Sequence, residues 1–96
     1  MSRGILSDRA QSDLAEIWSY TASRWGSNQA ERYIREIWRA IEITADNPSR
    51  GRACDDIRAG HFKTLVGSHV IIYRPMGDGI GVVRILHQQM DFRRHL

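Results

Sequence analysis

The sequence predicts an α+β domain of order β-α-α-β-β-β, with an N-terminal helical hairpin packed on one face of a small antiparallel sheet. Two observations predict it. Apolar residues recur every three or four positions from residue 10 to residue 45, and every second position after residue 60. The apolar runs of the second half are joined by short glycine-bearing links, as antiparallel hairpins require.

The first element is a short strand at "RGIL", ended by Ser7, a good N-cap with Asp8 in the turn that follows. Ala10, Leu14, Ile17, Trp18, Thr21 and Trp25 then trace one face of a helix that Gly26 stops. Ser27 or Asn28 is the expected cap of a second helix, with the stripe Ala30, Tyr33, Ile34, Ile37, Trp38, Ile41 and Ala45. Asn47-Pro48 ends it, because a residue before proline is pushed out of the helical region. The short connection implies an antiparallel helical hairpin. On these stripes Trp18, Trp25, Tyr33 and Trp38 are expected in the core.

Residues 48–60, "PSRGRACDDIRAG", have turn composition and read as a loop. "HFKTLV", "HVIIYR" and "IGVVRILH" are the three later strands, with Pro75 capping the second. "HVIIY" and "GVVRIL" are apolar on both faces, so helices should cover one side and a partner or the C-terminal tail the other.

Ninety-six residues read as one domain spanning 1–96, with a modest core. Charge is uneven: residues 1–48 carry six arginines against seven acidic residues, net −1, and residues 49–96 carry eight basic against four acidic, net +4. The positive half fits an anionic partner. A single cysteine, Cys54, excludes an intramolecular disulfide and suits a reducing compartment. No stretch approaches the ~20 apolar residues of a membrane span, and no signal peptide is evident, so a cytoplasmic protein is expected.

The four histidines are dispersed, without a metal-like pair or cysteine and carboxylate companions, so neither a metal nor another cofactor is expected. His87 ends the last strand; it reads either as a general acid or base or as a side chain bonding the "QQMD" turn, and its lack of companions favours the turn. Arg74 and Arg84 lie in apolar strands and call for structural pairing, with Asp55, Asp56 or Asp91 as partners. Asp55 and Asp56 are adjacent in a loop and lack a third carboxylate, which argues against a Mg²⁺ site.

In order along the chain, "LSDRAQSDLAEIWSYTASRWG", "QAERYIREIWRAIEITADNP", "GRACDDIRAG", "GSHVIIYR" and "VVRILHQQMD" resemble the ParE branch of the RelE/ParE toxin superfamily over the whole length. The resemblance implies the toxin half of a type II toxin–antitoxin module, acting on DNA gyrase by protein binding and held by an acidic ParD-like antitoxin. RelE-like members of the superfamily instead cleave messenger RNA on the ribosome with cationic, His and Tyr side chains. Here Val70 and Gln88 stand where such members often carry arginine, and the tail "MDFRRHL" lacks their terminal tyrosine. What remains for a nuclease is His87, Arg84 and Lys63. No catalytic residue is therefore expected. Arg58, His61, Lys63, His69, Arg74, Arg84, His87, Met90, Arg93 and Arg94 are the candidates for partner binding, without sequence-specific DNA recognition.

Overall fold

The computed structural model describes residues 3–96. Strand β1 (Gly4–Leu6) leads into helix α1 (Asp8–Trp25) and helix α2 (Ser27–Asp46). A 3₁₀ turn (Pro48–Arg50) and strand β2 (Arg52–Ala53) precede β3 (Phe62–Val66), β4 (His69–Met76) and β5 (Gly79–His87). A single helical turn, α3 (Phe92–His95), closes the described chain.

Ser7 caps α1 as expected, its Oγ accepting the Ala10 N–H at 3.0 Å. The joint between the helices is tighter than the sequence suggested. Gly26 ends α1 and begins α2, at φ 91° and ψ 162°, a region that side chains rarely enter. It therefore replaces Ser27 or Asn28 as the cap, and α2 has no side-chain cap bond.

The five strands form one sheet in the order β1-β5-β4-β3-β2. Four of them pair antiparallel, but β1 runs parallel to β5, with Gly4 opposite Ile80 and Leu6 opposite Val82. The sheet is mixed because the helical hairpin carries the chain to the far edge, and the antiparallel run from β2 to β5 then brings β5 back beside β1 on the same heading. The segment read as a loop over 48–60 also contributes β2, where Arg52 and Ala53 pair with Lys63 and Phe62. Strand β4 runs through Pro75 to Met76 instead of stopping at Arg74. Beyond Tyr73 it has no β3 neighbour, so the missing proline N–H costs no ladder bond.

A register shift at Ile72/Tyr73 leaves Val83 without a partner, since Ile72 faces Arg84 and Tyr73 faces Val82. The consequence is a phase change in β5. Ile80, Val82 and Ile85 point to the helices and join Ala10, Ile17, Ile37, Ile41, Ile71 and Tyr73 in the main core. Val70, Ile72 and Leu86 point the other way, where Phe92 and Leu96 of the tail cover them. Fully burying one such aliphatic side chain stabilises by about 1.5–3 kcal/mol.

The tryptophans depart from expectation. Trp18 is 39% exposed, Trp38 38% and Trp25 68%, so none is core. The hairpin's inner face is built from small and β-branched residues (Ala10, Ile17, Ala30, Ile37, Ile41), and the indoles ride its flank. Tyr33 is partly buried and packs on the main cluster.

Candidate functional site

Arg84 is anchored by a partner absent from the sequence-based choices. Its Nε donates to Asp13 Oδ2 and its Nη2 to Asp13 Oδ1, each at 2.8 Å, while Nη1 donates to the His95 carbonyl at 2.9 Å. Asp55 instead accepts the Gly60 N–H, and Asp91 accepts the Arg93 N–H. The reason lies at the free edge of β5. Strand β1 stops at Leu6; Ser7 then donates its N–H to the Val82 carbonyl and its hydroxyl to the Val83 carbonyl. Past that point Asp13 Oδ2 accepts the Ile85 N–H at 2.9 Å. One carboxylate thus satisfies both the strand edge and the guanidinium, and the bidentate bond holds Arg84 more firmly protonated than usual. The sequence did carry a signal: Asp13 sits between Ala10 and Ile17 on a buried face, where a charge must have a partner.

His87 lies across from His69 in the β4–β5 ladder, and their rings meet edge to face with centroids 5.4 Å apart. The bond to the turn expected of His87 is present: its Nδ1 accepts the Gln89 N–H at 3.2 Å. His69 Nδ1 is 2.6 Å from the Tyr33 hydroxyl, which also accepts the Ser68 N–H and lies 3.3 Å from the Val66 carbonyl. Burial, with the His87 charge nearby, lowers the His69 pKa. These side chains line a cleft of ≈ 650 Å³ on the helical side of the sheet, with Tyr20, Arg24 and Trp25 from the end of α1.

Lys63 is elsewhere. It is paired with Ile72 on the opposite face, with Nζ 5.7 Å from the Phe92 ring centroid. There Lys63, Val70 and Gln88 share a pocket of ≈ 450 Å³ with Arg50 and Arg52, two cations the sequence reading left in a loop. His87, Arg84 and Lys63 therefore do not converge. His87 faces the helices, Arg84 is tied to Asp13, and Lys63 stands among arginines with neither a histidine nor a carboxylate in the pocket lining.

The other candidates are also dispersed. Arg58, His61 and Arg74 border a separate cleft of ≈ 540 Å³ beside Ile5 and Met76. His61 is buried there, with Nδ1 3.0 Å from the Ala59 carbonyl. Arg74 is exposed and forms no ion pair among the described residues, contrary to the pairing expected of it. Met90, Arg93 and Arg94 lie exposed on the tail. Cys54 is buried, and that burial pushes its thiol pKa up, so it stays unreactive. No helix is long and apolar enough to cross a membrane among the described residues.

A third face is apolar. Ile5, Leu6, Leu14, Trp18, Ile34 and Trp38 line a groove of ≈ 520 Å³ along the helical hairpin. Arg32, Arg35 and Arg39 flank it beyond Trp38, interspersed with Glu36 and Glu42, and Arg35 is paired with Glu31 at 3.2 Å.

Comparison with known proteins gives this arrangement its context. The family model described as the ParE toxin of the type II toxin–antitoxin system, parDE, matches residues 5–92. A protein named Toxin ParE1 from Mycobacterium tuberculosis (strain ATCC 25618 / H37Rv) is 54% identical over 96 residues, covering 99% of this chain and 98% of the relative. A Toxin ParE1 from Caulobacter vibrioides is 44% identical over 91 residues, covering 95% and 94%. A solved chain described as the chromosomal ParDE TA system from P. aeruginosa shares the fold at a TM-score of 0.77 and 17% identity, over 91% of this chain and 96% of that one. The chain thus belongs to the ParE toxin family of type II toxin–antitoxin systems.

Proposed function

We propose that this toxin acts by binding DNA gyrase, not by cleaving RNA, and that a ParD-like antitoxin neutralises it. The observation that carries the non-enzymatic half is the separation of the candidate catalytic groups onto opposite faces of the sheet. Phosphodiester cleavage needs a base, an acid and charge stabilisation within reach of one phosphate. The Lys63 pocket supplies cations beside Thr64 and Gln88 but no histidine or carboxylate, and Arg84 is already saturated by Asp13 and the His95 carbonyl. Gyrase as target rests on the resemblance to the ParE branch, with which the family membership is consistent.

The antitoxin's place is the groove of Trp18 and Trp38. An amphipathic segment laid there would bury two indoles that this chain leaves more than a third exposed. Acidic residues on its other face would meet Arg32 and Arg39 of α2, which stand beside Glu36 and Glu42 and form no ion pair among the described residues. Hydrogen exchange with and without antitoxin tests the placement: protection should rise over α1 and α2 near these tryptophans. Gyrase supercoiling assays with the purified toxin test the target. Undiminished supercoiling at saturating toxin would remove gyrase from the account.

A further inference from the structure

The cleft on the helical side of the sheet is separate from the groove proposed for the antitoxin and has features that groove lacks. Its lining residues are Tyr20, Thr21, Arg24, Trp25, Gln29, Tyr33, Ser68, His69 and His87, with no carboxylate among them. Arg24 stacks over the Tyr20 ring at 5.7 Å and forms no ion pair among the described residues. Both imidazoles have Nδ1 engaged by the protein. The Gln89 N–H occupies that of His87, so the neutral ring carries its proton on Nε2. The Tyr33 hydroxyl occupies that of His69, and Gly67 makes room for it: a Cβ there would stand 2.6 Å from Tyr33 Cε1. Each ring is therefore fixed in orientation with Nε2 as its uncommitted nitrogen. A metal needs an unprotonated ring nitrogen, whereas an anion needs donors, and the His87 tautomer suits the anion.

The walls add a second requirement on the ligand. Trp25 and Tyr20 are 68% and 62% exposed, although both border the cleft and each offers a large flat face. A simple anion would leave them uncovered, but a planar ring attached to the anion would not. We propose that the cleft between Arg24, Trp25, Tyr33, His69 and His87 binds a phosphorylated nucleoside, the phosphate held by Arg24 and the two imidazoles and the base stacked on Trp25 or Tyr20. The volume suits a ligand of that size. The titratable and charged groups facing the imidazoles are Tyr20 and Arg24 from α1 and Tyr33 from α2, and none is a carboxylate. A bound phosphate supplies the missing counter-charge, so protonation of an imidazole and binding reinforce one another.

The test follows the His69 and His87 ring signals by NMR during titration of the full chain with adenosine monophosphate, adenosine and inorganic phosphate at pH 6.0 and 7.5. The nucleotide should shift both signals and bind more tightly than either fragment at each pH. Arg24→Gln should weaken it about tenfold or more, the loss of one charge-assisted bond. Arg9→Gln, the same charge change at an exposed site on the first turn of α1, should leave affinity unchanged. A 5′-phosphorylated oligoadenylate that shifts the same signals would make the ligand a strand end, and one that does not would make it a free nucleotide; both accord with the proposal. Unmoved histidine signals at millimolar nucleotide, binding no better than that of phosphate, or equal losses in the two arginine variants would each overturn it. So would protection of both rings by antitoxin while no nucleotide moves them, since the cleft would then be a protein contact.

Discussion

Replacing Asp13 by alanine would strand a guanidinium and a backbone N–H that share one carboxylate. Breaking such a pair costs about 3–5 kcal/mol, a large part of what a domain of this size has. Asp13→Asn keeps an acceptor for the Ile85 N–H and should lose less, so chemical denaturation should rank wild type, then Asn, then Ala. Equal stability of all three would show that the edge of β5 does not need the carboxylate. His69 gives a pH dependence whose sign is fixed by its environment. Burial lowers its folded pKa below the 6.5 of an unfolded chain, so on acidification the unfolded state takes up its proton first. Stability should therefore fall as pH drops below about 6.5 and level off below the folded pKa. In His69→Gln that part of the slope should disappear, as paired urea titrations at pH 7.5 and 5.5 would read. These two residues also mark how far the sequence is legible at this scale. Arg84 visibly needed a partner, but Asp13 lies 71 positions away, and only the fold brings the two together.

At the scale of elements, periodicity located both helices, each with one buried stripe, and apolar β-branched runs between glycine-bearing links located the three long strands. It missed β2, a two-residue edge strand whose ladder to β3 is a tertiary fact with no periodic trace. Nor could it give the parallel heading of β1, which depends on the last strand, β5, returning across the sheet to lie beside it. The tryptophans were misplaced for a related reason. A stripe three or four residues wide has flanks, and Trp18 and Trp38 sit on them while isoleucine and alanine fill the centre. This gives opposing expectations for stability and binding. Trp18→Ala or Trp38→Ala should cost about 1–2 kcal/mol in melting experiments, the ordinary range for a partly exposed site. Each should weaken antitoxin binding by about 30-fold, as a buried aromatic anchor does. Losses of 3–5 kcal/mol in folding with unchanged antitoxin affinity would return them to the core. The β3–β4 turn is a second element-scale test. Gly67 has φ 57° beneath the Tyr33 ring, so Gly67→Ala should destabilise by about 1–3 kcal/mol and disturb the Tyr33–His69 bond.

On the scale of the whole molecule, the sheet separates chemistries that the sequence places side by side. "GSHVIIYR" and "RILHQQMD" look like one cluster of cations and histidines, yet the β-ladder sends alternate residues to opposite faces. His69 and His87 go to the helical face, and Lys63, Val70 and Gln88 line a pocket on the other. The absence of arginine at Val70 and Gln88 was legible in advance; the orientation of His87 away from Lys63 was not, because face assignment needed the bulge and the pairing register. That separation underlies the reading of the toxin as a binder, and one measurement addresses it directly. A single preparation of toxin is assayed for messenger RNA cleavage on translating ribosomes and for gyrase supercoiling, with wild type, His87→Ala and Lys63→Ala in parallel and antitoxin added back. The account predicts no ribosome-dependent cleavage by any of the three, and loss of supercoiling that antitoxin restores. Ribosome-dependent cleavage by wild type that vanishes in both variants, beside unaffected gyrase, would contradict it.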